Sequence, residues 1–138
     1  MYRELIEKQA EINKYIKPQV GATEAEITKS EKELDVTFPQ ELKTLLSEMN
    51  GDGYLFFSTE KIVEYNKMTR EILGEDYDRL DTLLFFGGNG CGDYYSFLIA
   101  DKKALEGKIV RWEHETNENI PVAKDIFELI ERYFNDEI

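Results

Sequence analysis

The sequence has few cysteines and no long apolar run, the features that mark secreted and membrane proteins. Its 138 residues include one cysteine and one histidine. A lone cysteine forms no internal disulfide, which fits a reducing compartment. No apolar run approaches the ~20 residues that cross a bilayer, and Arg3, Glu4, Glu7 and Lys8 interrupt the apolar run that a signal peptide needs. We therefore expect a cytoplasmic protein with no membrane partner.

Basic residues are also scarce. Lys and Arg number 17 against 29 Asp and Glu, which gives a net charge of −12. The excess lies in 71–93, with six acids and one base, and in 115–138, with seven acids and two bases. Nucleic-acid binders gain affinity from Lys and Arg, so we expect no nucleic-acid partner. The same charge attracts a basic protein partner, although solubility is its simpler explanation.

The patterns typical of metal, cofactor and glycosidase sites are missing. One histidine, one cysteine and no Asp-x-Asp-x-Asp-Gly loop predict that no metal is bound. The glycine-rich stretch 87–92 precedes a predicted strand, whereas a phosphate loop precedes a helix, and Asp93 adds negative charge there. Carboxylates are so abundant that no pair identifies a glycosidase. We expect no cofactor.

One enzymatic alternative is a cysteine hydrolase. Cys91, His114 and Asp93 are the residue types of a nucleophile, a base and an orienting acid. However, Cys91 lies in a predicted turn, with no helix N-terminus to stabilise a thiolate. A small residue in a turn and a polar histidine on a strand explain the same residues. We therefore assign no catalytic residue.

The pattern of apolar residues, caps and glycines predicts one α+β domain over residues 1–138. Its antiparallel meander sheet packs with N-terminal helices and a C-terminal helix. The predicted helices are 2–16, 24–34, a third between Pro39 and Asn50, 59–73 and 123–134. The predicted strands are 54–57, 82–88, 93–100 and 107–115.

Several residues support these elements. Thr23 and Glu26 form a capping box at the second helix, and Ser58 is a candidate N-cap for the helix 59–73. Pro39 suits the first turn of the third helix and Asn50-Gly51 supplies a left-handed stop after it. Its apolar stripe contains Leu42, Leu45, Leu46 and Met49. The last helix is expected to turn Ile126, Phe127, Ile130 and Phe134 inward.

The stretch "FFGGNGCGDYYSFLI" (85–99) joins two of the predicted strands. Asn89-Gly90 favours a tight hairpin turn, and the flanking glycines permit a bulge or a close backbone approach. Alternation along the second of these strands places aromatic residues on both of its faces. Trp112 lies on the next strand, where core packing explains a tryptophan better than partner contact.

The chain resembles the SUKH superfamily, which includes bacterial immunity proteins and a fungal cell-wall assembly regulator. The resemblance covers the helix 23–34 and the blocks "FPQELKTLLSEMNG" (38–51), "FFGGNGCGDYYSF" (85–97), "IVRWEHET" (109–116) and "FELIERYF" (127–134). The residues that match the typical motifs are Gly90, Gly92, Asp93, Tyr94, Phe97, Val110, Trp112, Glu113 and His114. Leu98 departs from the motif, because an aspartate is common there.

The resemblance implies a non-enzymatic module that binds and blocks a toxin domain, with nucleases as frequent targets. The acidic surface suits the basic cleft of a nuclease. An intracellular regulatory module without a toxin partner is the alternative. The predicted partner-binding residues are Glu75, Asp76, Asp78 and Asp81 of the acidic loop, together with Asp93, Tyr94 and Glu113 near the strand edge.

Overall fold

The computed structural model describes all residues from Met1 to Ile138. Four strands form an antiparallel meander in the order β1-β2-β3-β4. The strands are β1 (Leu83–Gly88), β2 (Tyr94–Ala100), β3 (Lys103–Glu113) and β4 (Glu118–Ala123). The helices are α1 (Tyr2–Ala10), α2 (Glu24–Leu34), α3 (Gln40–Glu48), α4 (Thr59–Leu73) and α5 (Ile126–Phe134). The predicted α+β meander is confirmed.

Helices α2 and α4 have the predicted bounds because side chains satisfy their first amides. Glu26 N donates to Thr23 Oγ1 at 3.1 Å, and Thr23 N donates to Glu26 Oε1 at 3.0 Å. Ser58 Oγ accepts from Lys61 N at 3.2 Å in α4. The capping box and the serine cap are thus confirmed.

Helix α3 keeps its predicted apolar stripe but differs at both ends. Leu42, Leu45, Leu46 and Met49 are buried. Pro39 is the N-cap rather than a residue of the first turn. The helix ends at Glu48, before the left-handed Gly51 with its φ of 83°.

Helix α1 is shorter than the predicted 2–16. It ends at Ala10, after which Asn13 Oδ1 accepts a hydrogen bond from Tyr15 N at 2.9 Å. An asparagine that bonds the backbone two residues on stabilises a turn and competes with a helix. Ile16 is nevertheless buried, whereas Ile12 is exposed.

The predicted strand 54–57 is wrong. Asp52 Oδ1 accepts hydrogen bonds from the amides of Tyr54, Leu55 and Phe56 at 2.8, 2.8 and 3.0 Å. These amides are therefore unavailable to a strand ladder. Only one isolated bridge remains, between Phe56 and Gly87 of β1.

The C-terminal third contains a strand that the sequence did not predict. Strand β3 begins at Lys103, earlier than predicted, and β4 occupies Glu118–Ala123, where no strand was predicted. Pro121 makes this segment look unlike a strand in the sequence, because proline is tolerated only on edge strands, and β4 is such a strand. Helix α5 begins after Asp125, whose Oδ1 accepts from Glu128 N. Phe127 is 42% exposed rather than inward.

We define the main face of the sheet by Leu84, Tyr95, Phe97 and Ile109, which lie in the larger core. This core contains 26 buried residues and draws side chains from all five helices. Phe97 stacks on Phe86 with ring centroids 4.5 Å apart. Burial of this apolar area supplies most of the driving force for folding.

We define the minor face by Leu83, Phe85, Val110 and Trp112, which form a smaller core with Leu80. Trp112 is only 1% exposed, so its predicted place in a core is confirmed. Aromatic side chains surround it: Phe85 lies 5.2 Å from Trp112 between ring centroids, and Tyr94 lies 5.8 Å from it.

Helix α4 and the segment before it cover the free edge of β1. Asn66 Nδ2 donates to Phe85 O and Asn66 Oδ1 accepts from Phe85 N, both at 2.9 Å. Arg70 Nη2 donates to Leu83 O at 2.9 Å. Side chains thus satisfy backbone groups that an uncovered edge would leave unpaired. None of the five helices is long and apolar enough to cross a membrane.

Candidate protein interface

Three segments meet at one end of the minor face: the acidic loop 74–81, the β1–β2 turn 89–93 and the β3–β4 turn 114–117. Tyr77 fastens the first to the third, since its hydroxyl donates to His114 O at 2.6 Å. Its ring packs edge-on against Trp112, with centroids 6.1 Å apart. Tyr77 therefore provides the first attachment of the acidic loop to the sheet.

Asn117 supplies the second attachment of the acidic loop. Its φ of 61° is left-handed, a conformation that asparagine tolerates better than most residues. Trp112 Nε1 donates to Asn117 Oδ1 at 2.8 Å, and Asn117 Nδ2 donates to the Asp78 carbonyl oxygen at 3.2 Å. The buried indole thereby sets the position of the loop.

Asp93 joins the two turns. Its Oδ1 accepts from His114 N at 3.1 Å and lies 2.7 Å from His114 Nδ1, while Oδ2 accepts from Asn89 Nδ2 at 3.2 Å. Burial alone would raise the pKa of Asp93, but these hydrogen bonds lower it below the ordinary value. Its carboxylate is thus kept charged and held inside the structure.

Gly92 is required where the turns touch. Its φ of 98° is left-handed, and a Cβ there would lie 2.8 Å from His114 Cε1. Any other residue would strain the backbone and collide with the ring. The β-bulge predicted from the neighbouring glycines is present between Phe85 and Gly87. The glycine-rich stretch therefore allows the β1–β2 turn to contact the β3–β4 turn.

The four acids of the loop lie on the outside. Glu75, Asp76, Asp78 and Asp81 are all exposed. Only Asp78 forms an ion pair, with Arg79 Nε at 3.4 Å. The side chain of Asp78 is 77% exposed, against 16% for Asp93. The loop acids are accessible to a partner, whereas most of Asp93 is not.

The structure separates Tyr94 from Glu113. Tyr94 packs in the aromatic cluster of the minor face, and burial raises its pKa. Glu113 follows Trp112 on β3 and therefore points to the opposite face, where its Oε1 lies 3.7 Å from Arg111 Nη2. The seven predicted residues do not form one continuous surface. Their contact with a partner remains a prediction.

The residues of the hydrolase alternative meet only in part. Asp93 and His114 lie together, but the Cys91 thiol makes no hydrogen bond to His114. Cys91 is exposed, and its amide donates to Asn89 Oδ1 at 2.9 Å as part of the turn. The pair is positioned to hold two turns together. No group of three or more His, Cys, Asp or Glu side chains is placed to hold a metal ion.

Tyr77 and Asn117 were missed in the sequence. Tyr77 is the only aromatic residue in "GEDYDRLD", and an aromatic residue inside a charged loop indicates an anchor. Asn117 has a weaker signal, since "ETNEN" is a polar turn in which several residues qualify. Its pairing with Trp112 Nε1 depends on the sheet register, which places β4 beside β3.

The chain matches the model of a known protein family. A family model described as the SMI1 / KNR4 family (SUKH-1) matches residues 21–132. The matched range holds all four strands, α2 to α4, most of α5 and the three segments of the candidate interface. No curated protein matches the chain.

Proposed function

The chain belongs to the SMI1 / KNR4 family (SUKH-1), as its motifs predicted, and we propose that it is an immunity protein that binds and blocks a toxin domain. It acts by occlusion and performs no reaction. The observation that supports this most directly is the acidic loop, whose four exposed acids are held in place by Tyr77 and Asn117. We place this action in the cytoplasm, where the single free thiol of Cys91 persists.

The partner is proposed to be a basic domain, such as a nuclease. Glu75, Asp76 and Asp81 take part in no ion pair within the chain, so their charges are available to a partner. A loop fixed in advance loses little conformational freedom on binding. The negative charge of the loop raises the rate at which the chain associates with a basic cleft.

Protection of a toxin-bearing cell tests the function. The chain is co-expressed with the product of each neighbouring open reading frame, and survival is expected with one that is toxic alone. Cys91→Ala should protect equally, whereas a hydrolase would lose its activity with this change. If no neighbour is toxic and the chain captures housekeeping proteins instead, the regulatory alternative replaces the proposal.

Salt dependence tests the role of charge. The association rate constant with a captured toxin is measured by stopped flow at rising ionic strength. We expect it to fall by about tenfold or more between low and physiological salt, because screening shortens the reach of the loop charges. The dissociation rate constant should change less. A flat association rate would contradict electrostatic steering.

A further inference from the structure

We propose that the outer side of α4 is a docking face for a basic amphipathic segment of the partner protein. Its apolar contacts are Tyr65, Met68 and Ile72, and its charged border is Glu71, Glu75 and Asp76. The inference rests on the proposed function of protein binding and names the surface and the partner chemistry. The predicted site did not include α4.

The three apolar residues share one side of the helix. They lie at spacings i, i+3 and i+7, which an α-helix places on one face. The buried side of α4 contains Ile62, Asn66 and Thr69 and faces the protein. Met68 is 38% exposed and Ile72 is 65% exposed. The fold leaves these two large apolar side chains available.

Unpaired acids border this stripe. Glu71 lies three residues after Met68 within α4, so it borders the apolar residues on the outward side. Glu75 follows just after the end of the helix at Leu73 and is also exposed. Neither of them, nor Asp76, takes part in an ion pair. Charge complementarity therefore calls for a partner segment with apolar residues along one side and Lys or Arg beside them.

One lysine, Lys67, lies in the C-terminal half of α4, where it forms no ion pair, and the acids that follow outnumber it, since residues 71–81 hold five acids and one base. Lys61 lies at the opposite end of the stripe, where its Nζ is 3.2 Å from Glu64 Oε2. The same ammonium group lies 5.4 Å from the centroid of the Tyr65 ring. The negative field is thus concentrated from Glu71 onward and continues into the acidic loop.

The apolar stripe is continuous with the minor face. Tyr65 stacks on Tyr94 with centroids 6.0 Å apart and meets Phe57 edge-on at 4.8 Å. Its ring is therefore held in place before any partner arrives, which lowers the entropy cost of binding. The stripe and the acidic loop form one surface with an apolar part and a charged part.

A second exposed apolar region provides the control. Ile12 and Val20 are exposed in a segment that also contains Lys14 and Lys17. Its charge is opposite to that of α4, so it should not attract a basic segment. It could instead meet α4 of a second copy, but the net charge of −12 on each copy opposes such self-association.

The experiment uses isotope-labelled protein and two synthetic peptides of about 18 residues, long enough to form a helix. One carries leucines at helical spacing with lysines beside them, and the other has glutamate at every lysine position. We expect amide shift changes centred on Tyr65, Met68 and Ile72 with the lysine peptide alone. Ile72→Lys should weaken this binding by about tenfold, since it removes an apolar side chain that the bound peptide would cover and adds a charge of the same sign as the peptide.

Ile12→Lys is the matched control, because it makes the same substitution at another exposed isoleucine and changes the net charge equally. The affinity of Ile12→Lys for the lysine peptide should stay within about twofold of the original, because Ile12 lies outside the proposed docking face. Unchanged thermal unfolding of both variants shows that they fold. Equal weakening by both variants, shifts centred on 11–20, or shifts that depend on protein concentration without peptide would each overturn the docking face.

The protection assay separates this inference from the proposed function. If the original chain protects a toxin-bearing cell and Ile72→Lys protects equally well, the docking face is wrong and the function stands. If the lysine peptide binds α4 but no toxin is neutralised, the function is wrong and the docking face stands. Loss of protection with Ile72→Lys, but not with Ile12→Lys, supports both.

Discussion

The main face of the sheet packs into a core with side chains from all five helices, whereas the minor face lies beneath α4, the acidic loop and a row of aromatic rings. The main-face core is closed by contacts between many apolar side chains, both aliphatic and aromatic. The segments that cover the minor face are held in place by a few hydrogen bonds, such as those from Tyr77 to His114 and from Trp112 to Asn117. Both faces contribute stability, and the minor face also positions an exposed charged surface.

The difference matters because the two kinds of contact fail in different ways. Removing a side chain from a packed core lowers the stability of the whole molecule. Removing one hydrogen bond that fastens a loop opens that loop locally. The proposed interface should therefore be adjustable by mutation with little cost to the fold.

The largest expected effect comes from truncating one phenylalanine on each face. Phe97 and Phe85 are both fully buried, so Phe97→Ala and Phe85→Ala should each lower the free energy of unfolding by about 3–5 kcal/mol. Urea denaturation measures this loss. Only Phe85→Ala should also speed amide exchange at Tyr77 and Asp78 beyond the change in global stability, because Phe85 supports Trp112. Equal exchange in both variants would contradict the division between the faces.

A smaller effect is expected from pH, with opposite signs in two regions. Burial and the charges of Glu106 and Asp125 raise the pKa of Glu41 to about 7 from an ordinary 4.5. The folded state therefore binds this proton more tightly than the unfolded chain, and the contribution is lost as pH rises through about 7. The lowered pKa of Asp93 has the reverse consequence: its contribution is present above an ordinary 3.8 and is lost as pH falls through the folded value.

Urea unfolding measured from acid to mildly alkaline pH checks both signs. Glu41→Gln should remove a fall of about 1 kcal/mol between pH 5 and 8, and Asp93→Asn should flatten the acid limb instead. Burial also raises the pKa of Asp52, so its contribution has the same sign as that of Glu41. An unchanged alkaline slope in Glu41→Gln would show that the carboxyl group titrates normally.

The smallest expected effect is local. Tyr77→Phe deletes the hydroxyl that donates to His114 O and should cost about 1 kcal/mol, with faster amide exchange confined to the acidic loop. Tyr15→Phe is the control, since Tyr15 is exposed and its hydroxyl bonds nothing. If amide exchange in the acidic loop stays as slow in Tyr77→Phe as in the original chain, the hydroxyl of Tyr77 does not hold the loop in place.

Elements with local signals could be predicted well. The capping box of Thr23 and Glu26 gave the start of α2, and Ser58 gave that of α4. Prediction failed where a side chain captured the backbone: Asn13 ended α1 early, and Asp52 converted the expected strand 54–57 into a turn. In a sequence, a residue whose side chain will bond the backbone in this way cannot be told from any other polar residue.

The sequence by itself determined the bounds of α2 and α4, the α+β class, the negative charge and the family, because these depend on spacings within a few residues, on motifs or on composition. Only the tertiary structure placed Tyr77 on His114 and Asn117 beneath Asp78, and turned Glu113 away from Tyr94. Those arrangements depend on strand register and on contacts between residues up to 39 positions apart. Distant contacts of this kind form only when the whole chain packs, so no local pattern encodes them.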